Sequence, residues 1–479
     1  MLITGLTRYL FRSRYLYDID SVNFALALRR FDPTVHQPHP PGYFLYVCLG
    51  RFVYSLIHDA NSALVALSIG ASCGAVWMIY LLTCDWFGLK AARCAGVLFV
   101  FSPLAWFHGT VALTYIVETF FAATLGWLCW KRSVVGSAAV LGLAAGFRPS
   151  SLLFLAPLLL FSLWKASWRL RLSGIAILTF VVLLWFIPMV RLSGGFGAWS
   201  SSLMSLWNTV PGRQTVLNSP IANSVARFLS ILAACGLCFG CAAMLPMFRP
   251  MSLRAETTVK ASRELVVFSL MWIAPGLLFF TFVFLKFVNS GYLLFLSPPV
   301  FAWLGFLASE WYKPGRRALA AACLGANCLI FLWAPVYCSY GQMRDFERQL
   351  ESVVASLPRI ASPRDTMIVG FDSHFMGYRH AGYYLPNYLT VEYPAVGLAS
   401  GRWIFTMRDR DTKLAAEVPR GYAKFVIFPL PPEGSDYRGY MEAIRNKLGD
   451  NHLQFPLSGG NTFITGPASA LSILFDAHP

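Results

Sequence analysis

The amino-acid sequence predicts a polytopic α-helical membrane protein of about ten transmembrane helices with a small C-terminal soluble α/β domain. Three observations carry that expectation. Apolar residues make up 56% of the 479, charged residues 13%, and the mean hydropathy is +0.55, which leaves too little charge to solvate a soluble chain of this length. The apolar residues fall in runs near the roughly 20 residues that cross a bilayer. The net charge of +16 comes from short basic clusters between those runs, the pattern of cytoplasmic loops, and this argues against nucleic acid as a partner.

Taken in order, spans are predicted at 61–83, 91–108, 110–130, 133–147, 151–165, 171–192, 224–247, 264–286, 291–309 and 317–337. The connections "CDWFGLKAARC", "WKRS", "WKASWRLRLS", "FRPMSLRAETTVKASRE" and "EWYKPGRR" hold most of the loop cations and read as cytoplasmic. Residues 1–60, the turns at "WFHGT", "FRPS" and "KFVNSG", the 193–223 loop and everything after 338 then face outward. Within 193–223, Trp199, Leu203 and Leu206 recur at helical spacing and predict an interfacial amphipathic helix. Residues 43–57, apolar but short and carrying Arg51, predict a helix at the membrane surface. The segment before Asp18 is too short and too basic to span, and no cleavable leader reads from it.

After about residue 340 the composition turns mixed. "TMIVGF", "RWIFTM" and "KFVIFPL" read as buried strands, with "MRDFERQLESVVASL", "DTKLAAEV" and "YRGYMEAIRNKL" as helices around them. The expected division is 1–60, an outer acidic-motif loop with interfacial helices; 61–338, the membrane module; and 339–479, the outer α/β domain. Cys235, Cys238 and Cys241 share helical spacing without a nearby His or acidic ligand, so they read as small core residues rather than a metal site.

The polar residues that stand out all fall on the outward side. Asp18 and Asp20 form a D-x-D before the helical stretch "SVNFALALRRF" and the turn "HQPHPPGY", whose prolines hold the backbone extended. Each has an ordinary role open to it: Asp20 as helix cap, Asp18 as partner of Arg12 or Arg14, His39 as a surface turn residue. Glu118 lies inside an apolar helix, where a carboxylate needs a function or a partner. Arg148 and Lys286 are isolated cations on the face that should be poor in them, which fits either a held anion such as a lipid phosphate or simple snorkelling. The stretch "GFDSHFMGYRHAGYYLPNY", with Asp372, His374, Arg379 and His380, is either an acceptor contact or a strand-to-helix loop.

These motifs resemble the GT-C superfamily of polytopic glycosyltransferases, near the protein O-mannosyltransferases, the lipid A aminoarabinose transferases and related bacterial mannosyltransferase-like proteins. "DSVNF" from Asp20 is similar to the family's acidic motif and "HPPGYFLY" from His39 to its basic-Pro-Pro turn. "FSPLAWFHGTVALTYIVETFF", "GFRPSS" and "KFVNSGYLLFLSPP" resemble its third and fourth helices, its basic-Pro turn and its late Lys, Tyr and Pro segment. The likeness covers residues 15–165, and 280–300 more loosely. It departs in two places: the membrane helix expected before the acidic motif is not found, and some relatives carry Lys where this chain has His39.

The resemblance implies a GT-C-like membrane glycosyltransferase that moves a hexosyl or pentosyl group, with inversion, from a polyprenyl-phosphate donor to an acceptor hydroxyl. The reaction is expected at the outer face of a bacterial inner membrane, on a glycolipid, polysaccharide or protein acceptor. Asp20 is then the general base and Asp18 its helper, or the two share a Mg or Mn ion, since D-x-D is a metal pattern in parts of the superfamily. Arg148, Lys286 and His39 would face the donor phosphate, while Glu118, Tyr292 and His36 would position the sugar or the loop. No cofactor is required. The alternative is a transporter or flippase of a lipid-linked or anionic substrate, disfavoured because no internal repeat is visible and the polar residues gather on one face.

Overall fold

The computed structural model describes residues 1–209, 211–242, 263–309, 317–371, 373–393, 395–397, 403–405, 407–408, 414–415, 421–428, 445–446, 448–450, 453–456 and 462–470. Two compact units divide the chain. One comprises Met1–Ser13 with Ala27–Gln342, the other Arg14–Leu26 with Met343–Pro479.

The first unit is built of helices. After α1 (Leu2–Leu10) and the end of α2 (Ile19–Arg29) come α3 (Phe44–Ile57), α4 (Ala60–Phe87), α5 (Leu89–Val100), α6 (Pro103–His108), α7 (Tyr115–Trp130), α8 (Val134–Phe147), α9 (Ser150–Trp164) and α10 (Trp168–Leu192). α11 (Phe196–Thr209), α12 (Ile221–Phe239), α13 (Arg263–Phe282), a 3-10 stretch (Phe287–Leu296), α14 (Ser297–Ser309) and α15 (Arg317–Trp333) complete it. Local chemistry sets the breaks. Asp59 caps α4 by accepting from the Ser62 amide at 2.7 Å, and Gly88 ends it at φ +84°. The run expected as one span over 91–108 is two helices, because Pro103 cannot donate to a continuing helix; Ser102 caps the new one at the Ala105 amide, 3.4 Å away.

Among the described residues, five helices are long and apolar enough to cross a membrane: α4, α10, Ile221–Ala242, α13 and Phe287–Ser309. Phe44–Ile57, Tyr115–Trp130, Val134–Phe147, Ser150–Trp164 and Ala320–Trp333 are apolar but shorter. The apolar window of α10 is 11% buried and that of Phe287–Ser309 67%, so α10 offers its side chains outward while Phe287–Ser309 packs inside the unit. Leu125, Leu141, Leu155, Phe268, Trp272 and Phe295 belong to one core cluster, where Trp272 Nε1 donates to the Phe295 carbonyl at 2.9 Å. α7 accommodates that indole through Gly126, since a Cβ there would lie 1.9 Å from the Trp272 ring. The helices expected at 43–57 and around Trp199 are α3 and α11. Cys238 is buried on α12.

The second unit is a sheet with helices. β1 (Thr366–Phe371) is buried along its whole length and pairs in parallel with β2 (Thr390–Tyr393) on one side and β7 (Lys424–Ile427) on the other. The seven strands run in the order β6-β5-β2-β1-β7-β9-β8, with β5 (Met407–Arg408), β6 (Leu414–Ala415), β8 (Leu453–Pro456) and β9 (Thr462–Pro467) joined antiparallel. β3 (Ala395–Gly397) and β4 (Trp403–Phe405), which fall between β2 and β5 in the chain, pair antiparallel as a separate two-stranded ribbon. α16 (Tyr340–Ile360) buries Met343, Phe346, Leu350, Val353 and Leu357 at helical spacing. α17 (Tyr378–Tyr384) connects β1 to β2; Gly370 lets it approach, because a Cβ there would sit 2.6 Å from the Tyr378 Cα.

The helix expected over "DTKLAAEV" is corrected, since its described part, Leu414–Ala415, pairs as a strand with β5; ladder contacts override its helical propensity. Most of "YRGYMEAIRNKL" lies outside the described residues, as do 248–262 and 310–316 of the two basic clusters.

Candidate functional site

The acidic motif sits at the start of α2, within the second unit. The first amides of a helix have no carbonyl of their own to bond, so something outside the helix must accept from them. Here the His374 carbonyl accepts from the Ile19 amide at 2.8 Å, and Asp18 Oδ1 accepts from the Asp20 amide at 2.8 Å. The Asp18 carbonyl takes the first intrahelical bond, from Val22 at 3.2 Å. Asp18 is therefore the cap that the sequence offered to Asp20, and Asp20 falls in the first turn, half-buried, where the helix dipole favours a carboxylate. Asp18 is 6% exposed, and its other oxygen lies 3.4 Å from His374 Nδ1. Burial raises the Asp18 carboxyl above the usual range, and the nearby Asp20 charge adds to this against the opposing pull of His374.

Among the described residues no group of three or more His, Cys, Asp or Glu side chains gathers; an ion at the D-x-D would have Asp18 and Asp20 as its carboxylates, and no step is routed through one.

The second cluster lies in the first unit, around Arg148. As the residue before Pro149 it is extended (φ −151°, ψ 103°), which ends α8 and turns its side chain away from the helical path. Its Nε lies 3.1 Å from Glu118 Oε2, with side chains 4% and 1% exposed. Nη1 donates to Thr114 Oγ1 at 2.8 Å, and Ser151 Oγ donates to Glu118 Oε1 at 2.8 Å. The guanidinium sits 4.3 Å from the Tyr292 ring, 4.7 Å from Tyr115 and 5.8 Å from Tyr43. His39 Nε2 and the Tyr43 hydroxyl are 2.9 Å apart, which ties the Pro-rich turn to this group. The sequence reads Arg148 as an isolated cation and Glu118 as a carboxylate that needs a function or a partner; in the structure each is the other's ionic partner.

The remaining expected residues are more dispersed. Lys286 is exposed at the start of the 3-10 stretch Phe287–Leu296. His36 adopts the left-handed conformation (φ 58°) and closes a turn onto the Pro33 carbonyl at 3.2 Å. Asp372 lies outside the described residues, Arg379 donates to the Tyr378 hydroxyl at 2.7 Å, and His380 is buried against Phe346. Sequence reading missed Tyr43, Tyr115, Thr114 and Ser151. A signal existed for three of them: Thr114 and Tyr115 precede Glu118 at helical spacing, and Ser151 follows Arg148 by one turn.

No protein-family model matches the chain, and no curated protein matches it by sequence. Solved structures do. ArnT from Cupriavidus metallidurans bound to undecaprenyl phosphate aligns with a TM-score of 0.60 at 12% identity, over 98% of this chain and 97% of its own. The apo state of the same protein gives 0.56 at 14% identity, over 98% and 96%. The chain has the GT-C fold. It is an integral membrane protein of mostly helical build. Oligosaccharyltransferase AglB from Archaeoglobus fulgidus, in complex with an inhibitory peptide and a dolichol-phosphate, aligns at a TM-score of 0.46 and 15% identity, over 81% of this chain and 63% of its own.

Proposed function

We propose that this GT-C-fold chain is an inverting glycosyltransferase, transferring a sugar from a polyprenyl-phosphate donor to an acceptor hydroxyl at the outer face of a bacterial inner membrane. The observation that carries this reading is the end-to-end correspondence with ArnT, including the state bound to undecaprenyl phosphate. In this reading about ten helices span the bilayer and the acidic motif and sheet unit lie outside.

Asp20 is the base. It accepts the acceptor hydroxyl's proton as that oxygen bonds to the anomeric carbon, and the carbon–oxygen bond to the donor phosphate breaks on the opposite face. The departing polyprenyl phosphate gains one negative charge. Lys286, exposed, and His39 are the groups assigned to it. Arg148, already balanced by Glu118, brings no net charge; its role is to hold Tyr43, Tyr115 and Tyr292 in a fixed array, with Tyr292 and His36 positioning sugar and loop. Asp18 acts through the helix start rather than on the substrate.

Purified protein in lipid nanodiscs, given radiolabelled undecaprenyl-phosphate hexoses and pentoses with glycolipid, polysaccharide and peptide acceptors, tests this directly. Wild type should transfer label, and Asp20→Asn should lose on the order of a hundredfold or more. Equal transfer by both would overturn the assignment of the base. Label moved across the bilayer but never onto an acceptor would favour transport.

A further inference from the structure

The stretch that carries the acidic motif clusters with Met343–Pro479, and the contacts that bind it there are dense. The Arg14 amide donates to Glu347 Oε1 at 2.6 Å, and the Leu16 amide donates to the Tyr384 hydroxyl at 2.8 Å. Tyr17 lies with its ring 5.1 Å from Phe346 and 4.9 Å from Phe375. The series ends at His374, whose carbonyl accepts from the Ile19 amide and whose Nδ1 faces Asp18 Oδ2 at 3.4 Å. Both Asp18 oxygens are thereby addressed, one by the Asp20 amide and one by His374.

We infer that the C-terminal sheet unit is the scaffold of the acidic motif, and that His374 is a positioning residue: it fixes Asp18, which fixes the first turn of α2 and so the Asp20 carboxylate. The inference rests on the proposed role of Asp20. Its physical basis is that a carboxylate cap has rotamers to choose from, and a partner on its second oxygen removes the alternatives. A base displaced by about an ångström costs on the order of a hundredfold in rate, so a residue two contacts away from the substrate acts on turnover. The same arrangement gives the sheet unit a purpose that needs no binding of donor or acceptor by its own surface.

Two measurements on the full chain in nanodiscs test this. Hydrogen exchange compares wild type with His374→Ala and His374→Asn; the carbonyl that accepts from Ile19 stays in both, and the Asn amide stands near where Nδ1 was. Expected is a roughly tenfold faster exchange confined to residues 18–22 in the Ala variant, with most protection restored by Asn. Unchanged exchange overturns the inference whether or not a donor has been found, and so does acceleration spread through the whole sheet unit, which would mark His374 as a general stabiliser.

Transfer kinetics with the labelled undecaprenyl-phosphate donors is the second. Expected is a kcat lowered about tenfold or more in His374→Ala, donor KM within about twofold, and recovery in His374→Asn. A loss confined to KM, or none in a protein where Asp20→Asn is inactive, overturns the role of His374 while leaving the proposed base intact. Full activity of Asp20→Asn overturns the base and this inference together.

Discussion

Two clusters of ionisable side chains in this protein hold their charge in opposite ways. In the helical unit, Arg148 and Glu118 are sealed among tyrosines and apolar helices, and each is compensated by the other's full charge. In the sheet unit, Asp18 leans on a backbone amide and on an imidazole at 3.4 Å, and Asp20 stays half-buried at the head of a helix. The difference follows from the surroundings. Among apolar side chains a lone charge is tolerable only beside its opposite, whereas a helix start offers amide donors that hold a carboxylate without adding a cation. On the proposed function, the first cluster is suited to architecture and the second to chemistry.

The sharpest way to break this contrast is to remove one half of the sealed pair. Glu118→Ala leaves the Arg148 guanidinium buried with Thr114 as its hydrogen-bond acceptor, and the expected cost is about 3–5 kcal/mol. The double variant Glu118→Ala, Arg148→Met should recover most of that, because no charge is then left buried. Thermal unfolding in detergent measures both. A single variant within about 1 kcal/mol of wild type would mean that water reaches the pair, and the contrast with the acidic motif would fail.

Sequence reading found both halves of this pair and neither of their contacts. Glu118 and Arg148 stand out because each breaks an apolar context, which is a local property of the chain. That they meet depends on α7 packing against α8 and α9, and no periodicity within either segment encodes it. The helical plan was legible for the same local reason, since runs near the length of a membrane crossing announce themselves; the break at Pro103 was misread because the apolar run continues through it. The cap was misplaced by the D-x-D itself. Two aspartates two residues apart both fit a helix start, and two residues of shift in that start exchange their roles. The attachment of Arg14–Leu26 to the sheet unit was least legible of all, because amide donors to Glu347, Tyr384 and His374 leave no mark on side-chain identity.

A second prediction tests whether the sheet unit holds its motif through buried contacts. His380 packs on Phe346 with its Nδ1 accepting from the Gly377 amide at 3.3 Å, and burial pushes it down from 6.5 to about 4. Its folded form is neutral where the unfolded form is charged. Between those two values the unfolded chain binds more protons, so the contribution is whole above about pH 6.5 and drains away as pH falls toward 4, amounting to about 3 kcal/mol at most. Asp18 works in the other sense, because its raised carboxyl is relieved by acid. The readout is therefore the difference between wild type and His380→Gln in thermal stability across pH 7 to 4.5, where the Gln variant should show the flatter loss. Parallel curves would show that His380 is hydrated in the folded state.

The smallest expected effect separates Asp18 from Asp20. If Asp18 acts as cap and not on substrate, Asp18→Asn keeps an oxygen for the Asp20 amide and should change stability by a few tenths of a kcal/mol at most. Asp18→Ala removes the acceptor and should cost about 1 kcal/mol. Transfer activity should follow the same order, with Asn close to wild type and Ala impaired, because what the substrate feels is the orientation of the first turn. On the proposed role of Asp20 as base, no such conservative exchange is open to it, since an amide there keeps the shape and loses the proton acceptor. Should Asp18→Asn prove as inactive as Asp20→Asn while remaining as stable as wild type, the two carboxylates would act together on the substrate, and the division of labour between cap and base would have to be given up.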